Sequence, residues 1–153
     1  RKSWSTSITA HATTNDDFYF TRSFYHGLWA DHFTVYGAGL MKLMIQDKNI
    51  ELANKVSVAD SLVKRCMGLM GKKELDQQEC LWIKSCNQIH THFMRFAIDA
   101  VFVNKDMQVL KVKTDIKPWR FTLPVLGADS VFEFNAQKIG MKVQEGDYLY
   151  VGT

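Results

Sequence analysis

The amino-acid sequence predicts an α+β fold, a small, mainly antiparallel, barrel-like β-sheet with one principal helix at about residues 60–70. Three observations point there. Short apolar runs recur from residue 41 onward, about six in all, each bounded by polar or turn-forming residues. One segment alone, around Asp60–Gly71, has helical spacing between capping residues. A hairpin turn, Asn104-Lys105-Asp106, separates two of the apolar runs.

Taken in order, Lys48 to Val58 alternates through Ile50, Leu52, Val56 and Val58, the period of a strand with one buried face. Asp60 is placed to cap a helix over Ser61–Met70, with Gly71 to end it and Leu62, Cys66, Leu69 and Met70 on one face. Leu81-Trp82-Ile83 reads as a short apolar strand. Residues 89–103 read as one long extended segment closing in Ala100-Val101-Phe102-Val103, and Gln108–Lys113 is its return strand. Lys117-Pro118-Trp119-Arg120 breaks the pattern, because proline lacks an N–H and biases its predecessor to extended backbone. Val131–Phe134 and Tyr148–Val151 supply the last strands.

The chain of 153 residues divides into unlike parts. Residues 1–40 hold nine of the nineteen aromatic residues, six charged residues and only four aliphatic ones, Ile8, Leu28, Val35 and Leu40, with no sustained period. Met41-Lys42-Leu43-Met44 resembles a start of translation. The expectation is an N-terminal extension over 1–40, a leader, a non-native addition or an upstream read-through, followed by one domain over 41–153. The alternative is an aromatic arm packed on that domain.

With 46% apolar and 23% charged residues the chain is neither disordered nor collagen-like, and no apolar run reaches the roughly 18 residues of a membrane span. The net charge of +3 is spread, its longest basic runs being the pairs Lys64-Arg65 and Lys72-Lys73, so nucleic acid is a disfavoured partner. Three cysteines, Cys66, Cys80 and Cys86, do not make a closed disulfide framework. With no secretory signal recognisable, a cytoplasmic location is expected.

Several motifs then fall in a recognisable order. Gly68-Leu69-Met70-Gly71 follows Ala59-Asp60, and Cys86-Asn87-Gln88-Ile89-His90-Thr91 leads into Phe93-Met94-Arg95-Phe96-Ala97-Ile98-Asp99. Lys117-Pro118-Trp119-Arg120, Gly127-Ala128 and Gly140 to Asp147 complete the series. Over roughly residues 50–152 this resembles the bacterial and archaeal family called domain of unknown function 192, a resemblance that implies no settled activity. His92 stands where the family has Phe, and Ala97 where it has Pro. Some members of that family carry export signals. Gly146-Asp147 also resembles the Gly-Asp box of cradle-loop β-barrels, where Gly permits a positive-φ turn and Asp accepts backbone N–H groups.

The candidate ligand-binding residues are Cys86, His90, Met94, Arg95, Asp99, Trp119 and Arg120. If 86–94 is extended throughout, Cys86, His90, His92 and Met94 share one face. No metal site is expected; Cys86, His90 and His92, as soft ligands, come nearest to one. No cofactor is predicted. His90, Arg95 and Asp99 are polar groups in an apolar stretch and need partners. Trp119 beside Arg120 offers an aromatic face and a charged fork to an anionic or planar ligand or to a protein partner. The leading expectation is a non-enzymatic binding or accessory module. The alternative is a hydrolase or metal-assisted enzyme using Cys86, His90 and Asp99.

Overall fold

The computed structural model describes residues 41–153 and the backbone of two short strands, β1 (Phe24–Tyr25) and β2 (Leu28–Trp29), which pair antiparallel. Those two strands lie in one compact unit, Arg1–Ala38, and the remaining elements form a second, Gly39–Thr153. The expectation of an N-terminal extension falls on residues outside those described.

In the second unit, β3 (Lys42–Ile45) and β4 (Ile50–Ala53) form a hairpin, and β5 (Lys55–Ala59) follows after Asn54. The expected strand over 48–58 is therefore two, broken where the chain passes from one sheet to the other. Next come α1 (Leu62–Met67), β6 (Glu79–Lys84), β7 (Ile98–Val103), β8 (Val109–Ile116), β9 (Ser130–Asn135) and β10 (Leu149–Gly152). Strands β10-β3-β4 make a three-stranded sheet, and β5-β6-β9-β7-β8 a five-stranded one. Every pairing is antiparallel except β5 with β6, which is parallel and needs the α1 segment as its crossover.

The structure differs from the barrel-like expectation, because the sheets do not close. Gln108 bridges Tyr148 and Val109 N–H donates to Asp147 C=O (2.8 Å), but there the strands part, β8 following β7 and β10 following β3. On the other side Val56 N–H reaches Met41 C=O (3.0 Å) without an interstrand ladder. The turn at this seam bears out the physics of the Gly-Asp pair, with Gly146 at φ 98° and the Asp147 carboxylate accepting the Gln144 N–H at 2.8 Å.

The helix is shorter than expected. Ser61, not Asp60, caps it by accepting the Lys64 N–H, and Gly68, not Gly71, ends it. None of its residues is buried.

Strands β7 and β9 are the centre, buried on both faces, which explains their nearly continuous apolar sequence. Alternation sends Val101, Val103, Phe132 and Phe134 to a core shared with Leu43, Ile45, Leu52 and Leu149 of the smaller sheet. It sends Ile98, Ala100, Phe102 and Val131 to a second core, closed by Leu69, Leu75, Ile89 and Met94 from the connecting segments.

Two carboxylates interrupt this apolar pair of strands, one on each face. Asp99, on the side of Val101, accepts the backbone N–H of Asp115 (2.9 Å) and of Ile139 (3.1 Å). It fastens the end of β8 and the segment after β9 to the central strand. Removing it leaves two donors without their acceptor. Asp99→Ala is expected to cost about 3 kcal/mol in urea unfolding, with Asp99→Asn recovering part of the loss.

Candidate functional site

The segment 85–97 is not the continuous strand expected from its sequence, since only Ile98–Val103 joins the sheet. Phe93 adopts φ 59°, and Met94 N–H turns back to Thr91 C=O. Alternation therefore does not place Cys86, His90, His92 and Met94 on one face. Their positions are set by pairing with a distant stretch, residues 117–125.

Two buried threonines make that pairing. The Thr91 hydroxyl donates to Lys117 C=O (2.7 Å) and accepts the Arg120 N–H (2.9 Å). Its backbone N–H meets Arg120 C=O (2.8 Å), and its C=O takes the Trp119 N–H (2.9 Å). Thr122 holds Ile89 similarly, its backbone N–H donating to Ile89 C=O (3.0 Å) and its hydroxyl accepting the Ile89 N–H at 3.1 Å. Gln88 Nε2 donates to Thr122 C=O, and Val125 N–H to Asn87 C=O, so the two loops run together like an irregular ladder.

On its outer side this ladder carries an aromatic ridge. His92 stands edge-on to Phe121 (ring centroids 4.4 Å apart) and to Trp119 (5.5 Å), and Phe93 packs against Trp119 at 4.8 Å. His90 continues the ridge, 5.4 Å from His92 and 6.1 Å from Phe121. The His92 N–H donates to His90 Nδ1 (3.4 Å), so a neutral His90 carries its proton on Nε2. Phe93, Trp119 and Phe121 remain 60%, 54% and 67% exposed. Trp119, like Phe93, has a positive φ, 61°. An aromatic residue in left-handed backbone is strained by about 1–2 kcal/mol, and here the strain holds rings toward water. Arg95, Lys117 and Arg120 are exposed nearby in sequence.

On its inner side lies a hollow of about 50 Å³ beneath α1, lined by Arg65, Cys86, Gln88, His90 and Glu133 among others. Glu133 projects from β9 on the face of Val131, opposite to that of Asp99, and is 2% exposed. Burial pushes its carboxyl up to about 8. Its Oε2 has no hydrogen-bond partner, and neither has the buried Nε of Arg65. Burial also pushes the Cys86 thiol up, and its Sγ donates to Gln88 C=O at 2.9 Å.

The candidate residues thus do not converge on one place. Cys86 and His90 share the hollow, and Trp119 stands on the ridge with Arg120 beside it in sequence. Asp99 opens instead on a depression lined by Thr114, Asp115, Gln137, Gly140 and Met141, and Met94 is buried in the second core. His90 and Asp99 do not share a cavity: His90 borders the hollow with Glu133, and Asp99 points from the opposite face of the central strands. Among the described residues no three His, Cys, Asp or Glu side chains are grouped to hold a metal ion, Cys86, His90 and His92 included.

Sequence reasoning missed Glu133, Arg65, Phe93 and Phe121. Glu133 had a signal, as the one charge in the apolar run Val131–Phe134, at an inward position. Arg65 had none, since its neighbour in the hollow is 68 positions away.

Comparison with known proteins agrees with the fold. The chain is 33% identical over 110 residues to a UPF0127 protein of Pyrococcus horikoshii, covering 68% of this chain and 93% of the relative. A crystal structure of a protein of unknown function from Novosphingobium aromaticivorans is similar with a TM-score of 0.62 at 19% identity, over 72% of this chain and 82% of that one. A Sinorhizobium meliloti structure, described as a transcription-regulator candidate, gives a TM-score of 0.63 at 17% identity, over 72% and 91%. Such distant likeness speaks for the fold alone. Residues 43–151 match the family model DUF192, described as "Uncharacterized ACR", and with that match the chain belongs to the family of domain of unknown function 192.

Proposed function

We propose that this domain is a recognition module, without chemistry of its own, whose aromatic ridge receives an apolar and acidic segment of a partner protein. The observation that carries this reading is the pair Phe93 and Trp119, strained in backbone yet more than half exposed. Folding alone favours relieving the strain with glycine or burying the rings. Exposed aromatic residues flanked by arginine are the usual composition of interface hot spots. Leu123 and Leu126, 79% and 90% exposed in the same loop, favour a chain segment over a small molecule. The cationic Arg95, Lys117 and Arg120 favour acidic residues beside the apolar ones.

Selection from a phage-displayed peptide library on the whole chain tests this. Apolar-acidic peptides should be enriched and should lose at least about tenfold in affinity on Trp119→Gly, the loss of one anchor of roughly 2 kcal/mol. The same variant should keep its thermal midpoint, because glycine relieves the positive φ while little buried area is lost. No enrichment, or equal enrichment on the variant, would sink the reading.

The enzymatic alternative rests on an activated Cys86. Its thiol is pushed up chiefly by burial, the reverse of a catalytic cysteine. Thiol titration at neutral pH should modify the exposed Cys66 first and Cys86 slowly. Cys80, buried and pushed up to about 12, should react only on unfolding. A Cys86 faster than Cys66 would restore the enzymatic reading.

A further inference from the structure

We propose that the hollow beneath α1 is a binding site for a small monocarboxylate, of acetate or propionate size, held between the Nε–H of Arg65 and the carboxyl group of Glu133. The hollow shares His90 with the aromatic ridge, and the two groups that hold the guest, Arg65 and Glu133, are not part of that ridge.

The argument starts from two unsatisfied atoms. Arg65 is anchored through its terminal nitrogen, which donates to Ser85 C=O (3.0 Å) and Lys84 C=O (3.4 Å). Its Nε is buried and without a partner, and Arg65 is one of the residues that line the hollow. Glu133 reaches the same hollow from β9 with Oε2 equally unpartnered. The two make no ion pair with each other, so each is free to face a guest. Buried polar atoms left unpaired are rare in folded proteins and mark a place where a partner belongs.

The chemistry of the guest follows from what the walls offer. Near neutral pH the raised Glu133 is a carboxylic acid and donates through O–H. Arg65 donates through N–H and carries a full positive charge. Two convergent donors and one net charge call for an acceptor with one negative charge. The other titratable groups of the lining are Cys66, Cys86 and His90. The Cys86 proton is committed to Gln88 C=O, and His90 Nδ1 to the His92 N–H. Met70, Ile83 and Ile89 complete the wall and suit a short alkyl end. The volume of about 50 Å³ fits a molecule of a few heavy atoms, and a doubly charged phosphate would leave a charge unmatched.

The experiment is calorimetric titration of the whole chain with acetate and with propionate at constant ionic strength, at pH 7 and pH 9. Binding requires a protonated Glu133, so affinity should fall about tenfold between those values as the carboxyl ionises near 8. Glu133→Gln, a neutral donor of the same shape, should bind and lose the pH dependence. Arg65→Met should abolish binding, and Trp119→Gly should leave it unchanged. In the wild type, the Glu133 carboxyl carbon followed by NMR should titrate at higher pH when acetate is present. That reading needs no variant to fold.

Glu133 also has a signature without ligand. A carboxyl whose folded pKa lies above its unfolded one stabilises most below about 4.5, and that advantage is lost as pH rises toward about 8. The thermal midpoint should fall across that window in the wild type and less in Glu133→Gln. Absence of saturable binding by either acid at tens of millimolar, binding that survives Arg65→Met, a pH dependence that survives Glu133→Gln, or a Glu133 midpoint indifferent to acetate would each overturn the proposal.

Discussion

The buried hydroxyl of Thr91 is the constraint on which this surface depends. It serves as donor to one carbonyl and acceptor to one amide of the opposite loop, while its own backbone supplies two further bonds. No regular sheet reaches these residues, so without Thr91's hydroxyl the Arg120 N–H would be left to water, while the Thr91 C=O holds the Trp119 N–H. With it, Trp119 is pinned in left-handed backbone beside Phe93. A loop is thereby given the precision of a strand, which a recognition surface needs and a connecting loop does not.

The same ladder has two sides of opposite character. Outside, aromatic edges meet faces in the open, an arrangement that costs little entropy to present because each ring has few rotatable bonds. Inside, the β9 strand offers a carboxyl to a small hollow beneath α1. Helix α1 buries none of its own residues, so its contribution to the fold is slight. What it does supply is Arg65 to the rim and Gly68 to the roof, where Glu133 Oε2 lies 3.9 Å from the place a Cβ would occupy.

The sheet elements were legible because period-two alternation follows directly from burial, and β6, β8, β9 and β10 lie close to where it places them, whereas β7 takes up only the end of the expected 89–103. The family was legible as well, from the order of its motifs. What periodicity cannot give is a pairing made by side chains across a gap of about thirty residues, such as Thr91 with Lys117 and Arg120. Reading 89–103 as extended followed from its apolar composition, but Phe93 turns the chain by taking a φ that sequence statistics disfavour for an aromatic residue. Grouping His90 with Asp99 failed because the chain turns between them, and Asp99 leaves β7 on the face opposite to the hollow that His90 borders. Glu133 met the rule that buried charges mark something unusual, and was passed over inside an otherwise ordinary apolar run.

The first and last strands of the second unit, β3 and β10, are antiparallel neighbours, with Lys42 opposite Gly152 and Ile45 opposite Leu149. Entry and exit of this unit therefore lie side by side in the small sheet, β3 at its middle and β10 at its edge. A host protein could carry this unit as an insert in one of its own turns, and both the ridge and the hollow would travel with it intact.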